Sequence, residues 1–253
     1  MERMNRPKSR SELDAMRQGG AMLATVLKKT GEALQPGIST AALAAIAEAE
    51  LKRLGGEPAF LGYGGFPDVL CVSLNDAVVH GIPDRAEIIK SGDIVSLDFG
   101  VRWQNLITDG ARTFIVGKPR SEREQELVTA TQAALHAGIA AVRAGRRVGD
   151  VSAAVQQVLE RHGLGIVRDL VGHGVGDELH EAPNIANFGH AGTGMVLESG
   201  MTVAIEPMAT LGRETVRVDH DGWTVRTRDG SRSAHFEDTV AVTEKGAIVL
   251  TAS

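Results

Sequence analysis

Apolar positions in residues 11–33 recur at helical spacing. Leu13, Met16, Met22, Leu23 and Val26 form one stripe, Ser11 is placed to cap the start with Asp14 three residues on, and Pro36-Gly37 breaks the run. A second amphipathic stretch, about 40–54, sets Leu43, Ile46, Ala47 and Leu51 on one face and ends at Gly55-Gly56. Over residues 57–117 the pattern changes. DVLCVSL, IVSLDFGV and ARTFIVG are short, rich in apolar and β-branched residues, and bounded by Gly, Pro, Asn and Asp, so they predict strands. Then the order restarts. Ser121, with Glu124 placed for a capping box, opens a helix to about Ala144, another covers about 149–162, and strand-like segments run from IVRDLVG to GAIVLTA.

Helix, helix, strands, twice over, suggests a duplication. Residues 37–55 overlay 145–163 without a gap at an offset of 108, with both end glycines, Ala45/Ala153, Leu51/Leu159 and Arg53/Arg161 identical. Such a repeat predicts two similar α+β halves, about 11–117 and 121–250, facing each other around a pseudo-twofold axis, their sheets forming one curved floor backed by helices. Only the short stretch GKPRSERE (117–124) joins them, so residues 1–253 read as one domain.

Several acids sit where strands predict burial. Asp98 lies inside DIVSLDFGV, and a lone buried carboxylate is costly. If 93–102 and 105–116 pair as a hairpin turning near 103–104, Asp98 and Asp109 fall directly opposite each other, ~4.5–5.5 Å apart at Cβ. Two like charges that close call for a cation. The alternative is that Thr108-Asp109-Gly110 is itself a turn. Glu206 in MTVAIEPMA and Glu237 in AHFEDTVAVT repeat the anomaly; taken singly, the first reads as a helix-start acid beside Pro207 and the second as an edge-strand charge. Four inward carboxylates together amount to a divalent or dinuclear metal site. His173, between glycines in VGHGVGDELHEAP, is the candidate nitrogen ligand, whereas His136 and His162 lie in helical stretches and read as structural. Oxygen donors with one imidazole suit Mn, Fe, Co or Zn better than Ca or Mg.

The ordered set VHGIP, DIVSLDFG, TDGART, GHGVGDELHEAP, IEPM and SAHFED resembles the methionine aminopeptidase family with its pita-bread (creatinase/aminopeptidase) fold, from the first helix to the last strand. The resemblance implies an aminopeptidase that removes the initiator methionine from nascent proteins, preferring a small second residue. It implies two divalent metal ions (Co, Mn, Fe or Zn) on Asp98, Asp109, His173, Glu206 and Glu237, with Asp109 and Glu237 bridging. It makes His80, His180 and Glu206 catalytic, with His80 and His180 binding substrate on either side of the scissile bond, and places Tyr63, Phe66, Cys71 and Trp223 near the methionine side chain. This chain departs from the family pattern at Phe60, where a small Cys is common, at Gly64, where a polar residue is common, and at Leu179, where an aromatic is common; pocket shape is therefore in question. The length leaves no room for the helical insertion of type II enzymes, which points to the short type I form.

Two rivals share the fold. Xaa-Pro aminopeptidases and dipeptidases resemble this ligand set but usually carry an extra N-terminal domain, and only about ten residues precede the first helix here. Non-enzymatic binding modules of the fold lose ligands, and this chain keeps all five. Composition narrows the setting. The net charge of −5 gives no general attraction to nucleic acid or anionic membrane. One cysteine allows no internal disulfide, the N-terminus lacks the apolar core of a secretory signal, and no run approaches the ~20 apolar residues of a membrane span. The expectation is a cytoplasmic monomer whose partners are nascent polypeptide N-termini, with a transient ribosome association, no specific nucleic acid and no membrane.

Overall fold

A computed structural model describes residues 3–252. Its first helix, α1 (Arg10–Glu32), begins earlier than the Ser11 pattern suggests, because Ser9 is the cap. Glu12 supplies the reason. The Ser9 hydroxyl accepts from the Glu12 N–H at 3.3 Å, while the Glu12 carboxylate accepts from the Ser9 N–H at 2.7 Å, so the pair satisfies two end donors reciprocally. Helix α2 (Thr40–Leu54) is capped by Ser39 and closed by Gly55 in the left-handed region, as its pattern predicts. Ser121 caps α3 (Glu122–Ala141), but Glu124 does not fold back to it; its carboxylate takes the Arg120 N–H and pairs with Arg232. Extended Val142 ends α3 short of Ala144, and α4 (Val148–Arg161) follows.

Each helix pair covers its own apolar core. Leu23, Leu27, Leu43 and Leu51 of α1 and α2 pack on Val95, Leu97, Phe99 and Val101, while Leu127, Leu135, Val155 and Leu159 of α3 and α4 pack on Val203, Ile205, Val240 and Val242. Both cores rest on one nine-stranded sheet whose pairings are all antiparallel. Its seam is strand Glu237–Thr243, which pairs on one side with Leu106–Ile115 and on the other with Thr202–Ile205. Side chains reinforce that seam. The Thr239 hydroxyl accepts from the Asp109 N–H and donates to the Asp109 carbonyl, and Arg112 donates to the Glu237 carbonyl and pairs with Asp238 at 2.7 Å. Glu206 stands 108 residues after Asp98, the same offset that relates the helices.

Two local expectations need correction. The hairpin Ile94–Trp103/Leu106–Ile115 turns at Gln104-Asn105, both at positive φ, not at 103–104. Such a two-residue turn with both centres left-handed matches the twist of the strands, and Asn tolerates that region. The register therefore pairs Asp98 with Ala111 and Asp109 with Gly100, so the two acids are diagonal neighbours on one face instead of directly opposite. IVRDLVG is also not a continuous strand; only Gly165–Ile166 and Gly172–Gly174 pair, with Val167 to Val171 looping between them.

Gly20 shows how tightly α1 sits on the sheet, since a Cβ there would lie 2.0 Å from the Leu250 carbonyl oxygen. Gly20→Ala should destabilise the chain by about 1–3 kcal/mol. Urea unfolding should show the loss as a lower midpoint at unchanged slope. Among the described residues no helix is long and apolar enough to cross a membrane.

Candidate active site

The seam and its flanking strands bring the anomalous acids together. Asp98, Ala111 and Glu237 lie in register across three adjacent strands, and Asp109 lies two residues from Ala111 on the same face. Asp109 is thus a strand residue and Glu237 an interior-strand residue, which removes the turn and edge readings. Glu206 follows strand Thr202–Ile205 and precedes Pro207 and strand Met208–Thr210, so it sits at a break between strands, not at a helix start. His173 is the middle residue of Gly172–Gly174, where both glycines are obligatory. A Cβ at Gly172 would lie 2.4 Å from the Ala204 carbonyl oxygen, and one at Gly174 would crowd Ala182 and Asn5 at 2.9 Å.

One donor atom each from Asp109, His173 and Glu237 falls within 4.8 Å of the others, and the His173 Nε2 lies 3.7 Å from Glu206. All of these groups line one cavity, which Asp98 also faces. The His173 Nδ1 lies 2.9 Å from the Gly174 carbonyl, so it carries the hydrogen and leaves the Nε2 lone pair toward the carboxylates. Asp98 Oδ1 and Glu237 Oε1 are buried without a hydrogen-bond partner among the described residues. Buried polar atoms are nearly always satisfied. Here the acceptors converge on one another, the arrangement a cation would satisfy. Two or more carboxylates and an imidazole fit divalent Mn, Fe, Co or Zn.

Charge responds to this crowding. Burial pushes Asp98 up to about 7, with Glu206 adding to the rise, and pushes Glu206 up to about 8. Burial and neighbouring acids hold Asp109 and Glu237 well above the carboxylate range. Burial lowers His80 to about 4 and His173 to about 3. A carboxylate raised on folding keeps a proton that the unfolded chain has released, so stability falls as pH rises toward the folded value. The histidines act oppositely but titrate below ~6.5 in the unfolded chain. Chelator-stripped protein should therefore melt at a lower temperature at pH 8.5 than at pH 6.5. Added Mn or Zn should remove most of that difference, as thermal melts followed by circular dichroism would show.

An apolar recess adjoins the acids. Phe60, Phe66, Cys71 and Leu179 are buried in it, and Phe66 meets Trp223 edge-on with ring centroids 5.2 Å apart. Phe60 packs flat enough on the sheet that a Cβ at Gly100 would lie 2.6 Å from its ring. Cys71 pairs with Asp98 across strands, and burial raises its thiol well above the ordinary value, so it is a neutral wall and no nucleophile. At the mouth, the Tyr63 hydroxyl lies 2.8 Å from the His180 Nδ1, and the His180 ring stands 4.3 Å from that of His173. His80 closes another side. Its φ of 59° is strained for a non-glycine residue, and Gly81 beside it allows the turn, since a Cβ there would lie 2.2 Å from the Val72 carbonyl oxygen.

A family model for metallopeptidase family M24 matches residues 14–244. The chain belongs to metallopeptidase family M24. Within M24 it stands with the methionine aminopeptidases. It is 41% identical to the methionine aminopeptidase of Clostridium acetobutylicum over 96% of this chain and 97% of that one. The crystal structure of methionine aminopeptidase from Thermotoga maritima superposes with a TM-score of 0.97 at 46% identity, covering 99% of this chain and 100% of the other. The Xaa-Pro dipeptidase from Bacillus anthracis has the same fold at a TM-score of 0.79 and 25% identity, but this chain covers only 62% of it. The chain is accordingly a metallopeptidase with the pita-bread fold, an enzyme of the aminopeptidase kind.

One buried polar group that was not a candidate lies behind the acids of this M24 site. His235, 1% exposed, lies with its Nε2 3.6 Å from Glu206 and 3.8 Å from Glu237. The sequence signal was its place in SAHFED, two residues before Glu237.

Proposed function

We propose that this cavity is where the chain hydrolyses the bond after an N-terminal methionine. Asp98, Asp109, His173, Glu206 and Glu237 would hold two divalent ions of Co, Mn, Fe or Zn, with Asp109 and Glu237 shared. The observation that carries the reading is the convergence of four carboxylates and an imidazole on one cavity beside an apolar recess, with Asp98 Oδ1 and Glu237 Oε1 buried and unpartnered among the described residues. Bound in such a site, divalent ions lower the pKa of water and polarise a carbonyl.

The chain's own groups supply the rest. Glu206, beside the water that would attack, accepts its proton at the carboxylate and passes it to the leaving amine. His180, held by Tyr63, faces the scissile carbonyl, and His80 faces the amide nitrogen. Burial keeps His80 neutral at physiological pH, so it contacts the substrate without adding a charge. Phe66, Cys71 and Trp223 surround the methionine side chain, whose unbranched thioether suits an apolar and aromatic wall. Phe60 and Leu179 narrow the same recess. We read residues 1–253 as one domain of two pseudo-symmetric halves. Its substrates are nascent polypeptide N-termini with a small second residue. We place the chain in the cytoplasm as a monomer that visits the ribosome.

Methionine release from Met-Gly-Met-Met and from a Met-Pro-started peptide tests this, beside an Xaa-Pro peptide with Xaa other than methionine. Chelator-stripped protein would be given Mn, Co, Fe or Zn in turn. Metal-restored cleavage after methionine, with the Xaa-Pro peptide untouched, is expected. Preference for the Xaa-Pro peptide would move the chain to the dipeptidase branch. No cleavage with any metal would refute the assignment.

A further inference from the structure

The segment before α1 runs along the outer edge of the sheet. The Asn5 N–H donates to the Ala182 carbonyl at 2.8 Å and the Ala182 N–H to the Arg3 carbonyl at 2.9 Å, so residues 3–5 add to strand Glu181–Ile185, which ends the sheet. Three residues on, the Lys8 side chain is fully buried, its Nζ 3.6 Å from Asp177 and 3.8 Å from Glu181. Lysine is almost never buried so completely unless its charge is paired. The space around it is closed, since a Cβ at Gly176 would lie 2.6 Å from the Lys8 Cε. The two acids bracket a turn. Residues 176–180 belong to no strand, and they carry Leu179, a wall of the apolar recess, and His180, bonded to the Tyr63 hydroxyl. Glu181 closes that turn. One of its carboxylate oxygens accepts from the Glu178 N–H at 2.8 Å and the other from the Asn5 side-chain amide. Asn5 also donates to the Val175 carbonyl at 3.1 Å and accepts from the Thr202 N–H at 3.0 Å, which ties the turn to the sheet. Asn5, Lys8 and Glu181 line no part of the cavity.

We propose that Lys8 and Glu181 are positioning residues for His180, the ammonium pinning both ends of the 177–181 turn and the carboxylate closing it, so that the imidazole is held at one place beside the scissile bond. The proposal rests on the aminopeptidase reading above and extends it to a segment outside the cavity. Lys8 is the cation paired with Glu181 among the described residues. Without it, Glu181 is a buried carboxylate facing no positive charge, a costly state. The turn relieves that cost by swinging outward, and His180 moves with it. A shift of about 1 Å in a group at the reacting bond lowers turnover by up to ~10²-fold.

The test uses the full chain loaded with manganese, with Met-Gly-Met-Met as substrate. Lys8→Met keeps the apolar stem and removes the charge. Its kcat should fall by ~10–100-fold, with KM and bound manganese within about twofold of the parent. Amide hydrogen exchange across 176–182 should quicken, in the metal-free protein as well. In His180→Ala the same substitution should change kcat by less than about twofold, because the group it positions is gone. A merely structural brace would cost the same factor in both backgrounds. Equal losses in both, unchanged exchange across 176–182, or a Lys8→Met kcat within about twofold of the parent would overturn the proposal. Where Lys8→Met does not fold, Glu181→Gln, which keeps the size of the side chain, meets the same comparisons and the same outcomes decide. A parent that releases no methionine with any metal would overturn the aminopeptidase reading and this one together. A parent that releases it, with kcat indifferent to Lys8, would overturn this one alone.

Discussion

Asp109→Ala should abolish metal-dependent methionine release, a fall of about 10³-fold or more in kcat/KM, and should lose bound metal to dialysis. The reason is position. Asp109 is grouped with His173 and Glu237, and lies diagonally beside Asp98 on the sheet face. With Asp98 on one side and His173 on the other, it is placed to be shared between two ions. The Thr239 hydroxyl bonds both its N–H and its carbonyl, which fixes its backbone at the seam. The same substitution should have the opposite sign on stability without metal. Burial and the charges of Asp98 and Glu206 hold Asp109 well above its ordinary range, and alanine removes that burden. Chelator-stripped Asp109→Ala should therefore melt no lower than the stripped parent at pH 8.5. A variant that kept full activity and metal content would show the ligand assignment to be wrong. A variant that melted well below the stripped parent would show Asp109 to be a structural group.

Glu206→Gln should lower kcat by about 10²–10⁴-fold with little change in KM. Glutamine keeps the shape and one oxygen but cannot take a proton. Glu206 sits where Pro207 ends strand Thr202–Ile205, with Asn187 donating to its carbonyl at 2.9 Å, so the side chain is presented at a fixed place. The pH profile separates proton transfer from simple loss of a ligand. A shuttling carboxylate leaves an acidic limb in the parent's kcat that the glutamine variant lacks. Loss of metal alone would instead be reversed by raising the metal concentration.

Much of the fold is legible as periodicity. The stripes of α1 to α4 and the apolar strands follow from which residues must be buried, and the duplicated order shows in the overlay of 37–55 on 145–163. What local patterns cannot rank is competition between neighbours. Ser9 caps α1 because Glu12 closes the reciprocal bond, while Ser11 offers a similar spacing to a shorter acid. Asp98 and Asp109 look opposite from spacing alone, yet the left-handed pair Gln104-Asn105 moves the turn one residue on and sets the acids diagonally. The acids stood out because carboxylates in strands are costly. His235 did not, since a histidine in a strand is ordinary until its surroundings are known. Phe60 and Leu179 were visible as departures, but only packing shows that both lie in one apolar cluster with Phe66 and Cys71.

The central claim is that side chains from both halves hold two ions side by side at the seam. Anomalous diffraction from crystals of the full chain grown with manganese, collected above and below the manganese edge, tests it most directly. The account predicts two peaks within bonding distance of Asp109 and Glu237, one also at Asp98 and the other also at His173 and Glu206. Fully occupied crystals showing no peak among these side chains, or metal only elsewhere on the surface, would contradict it.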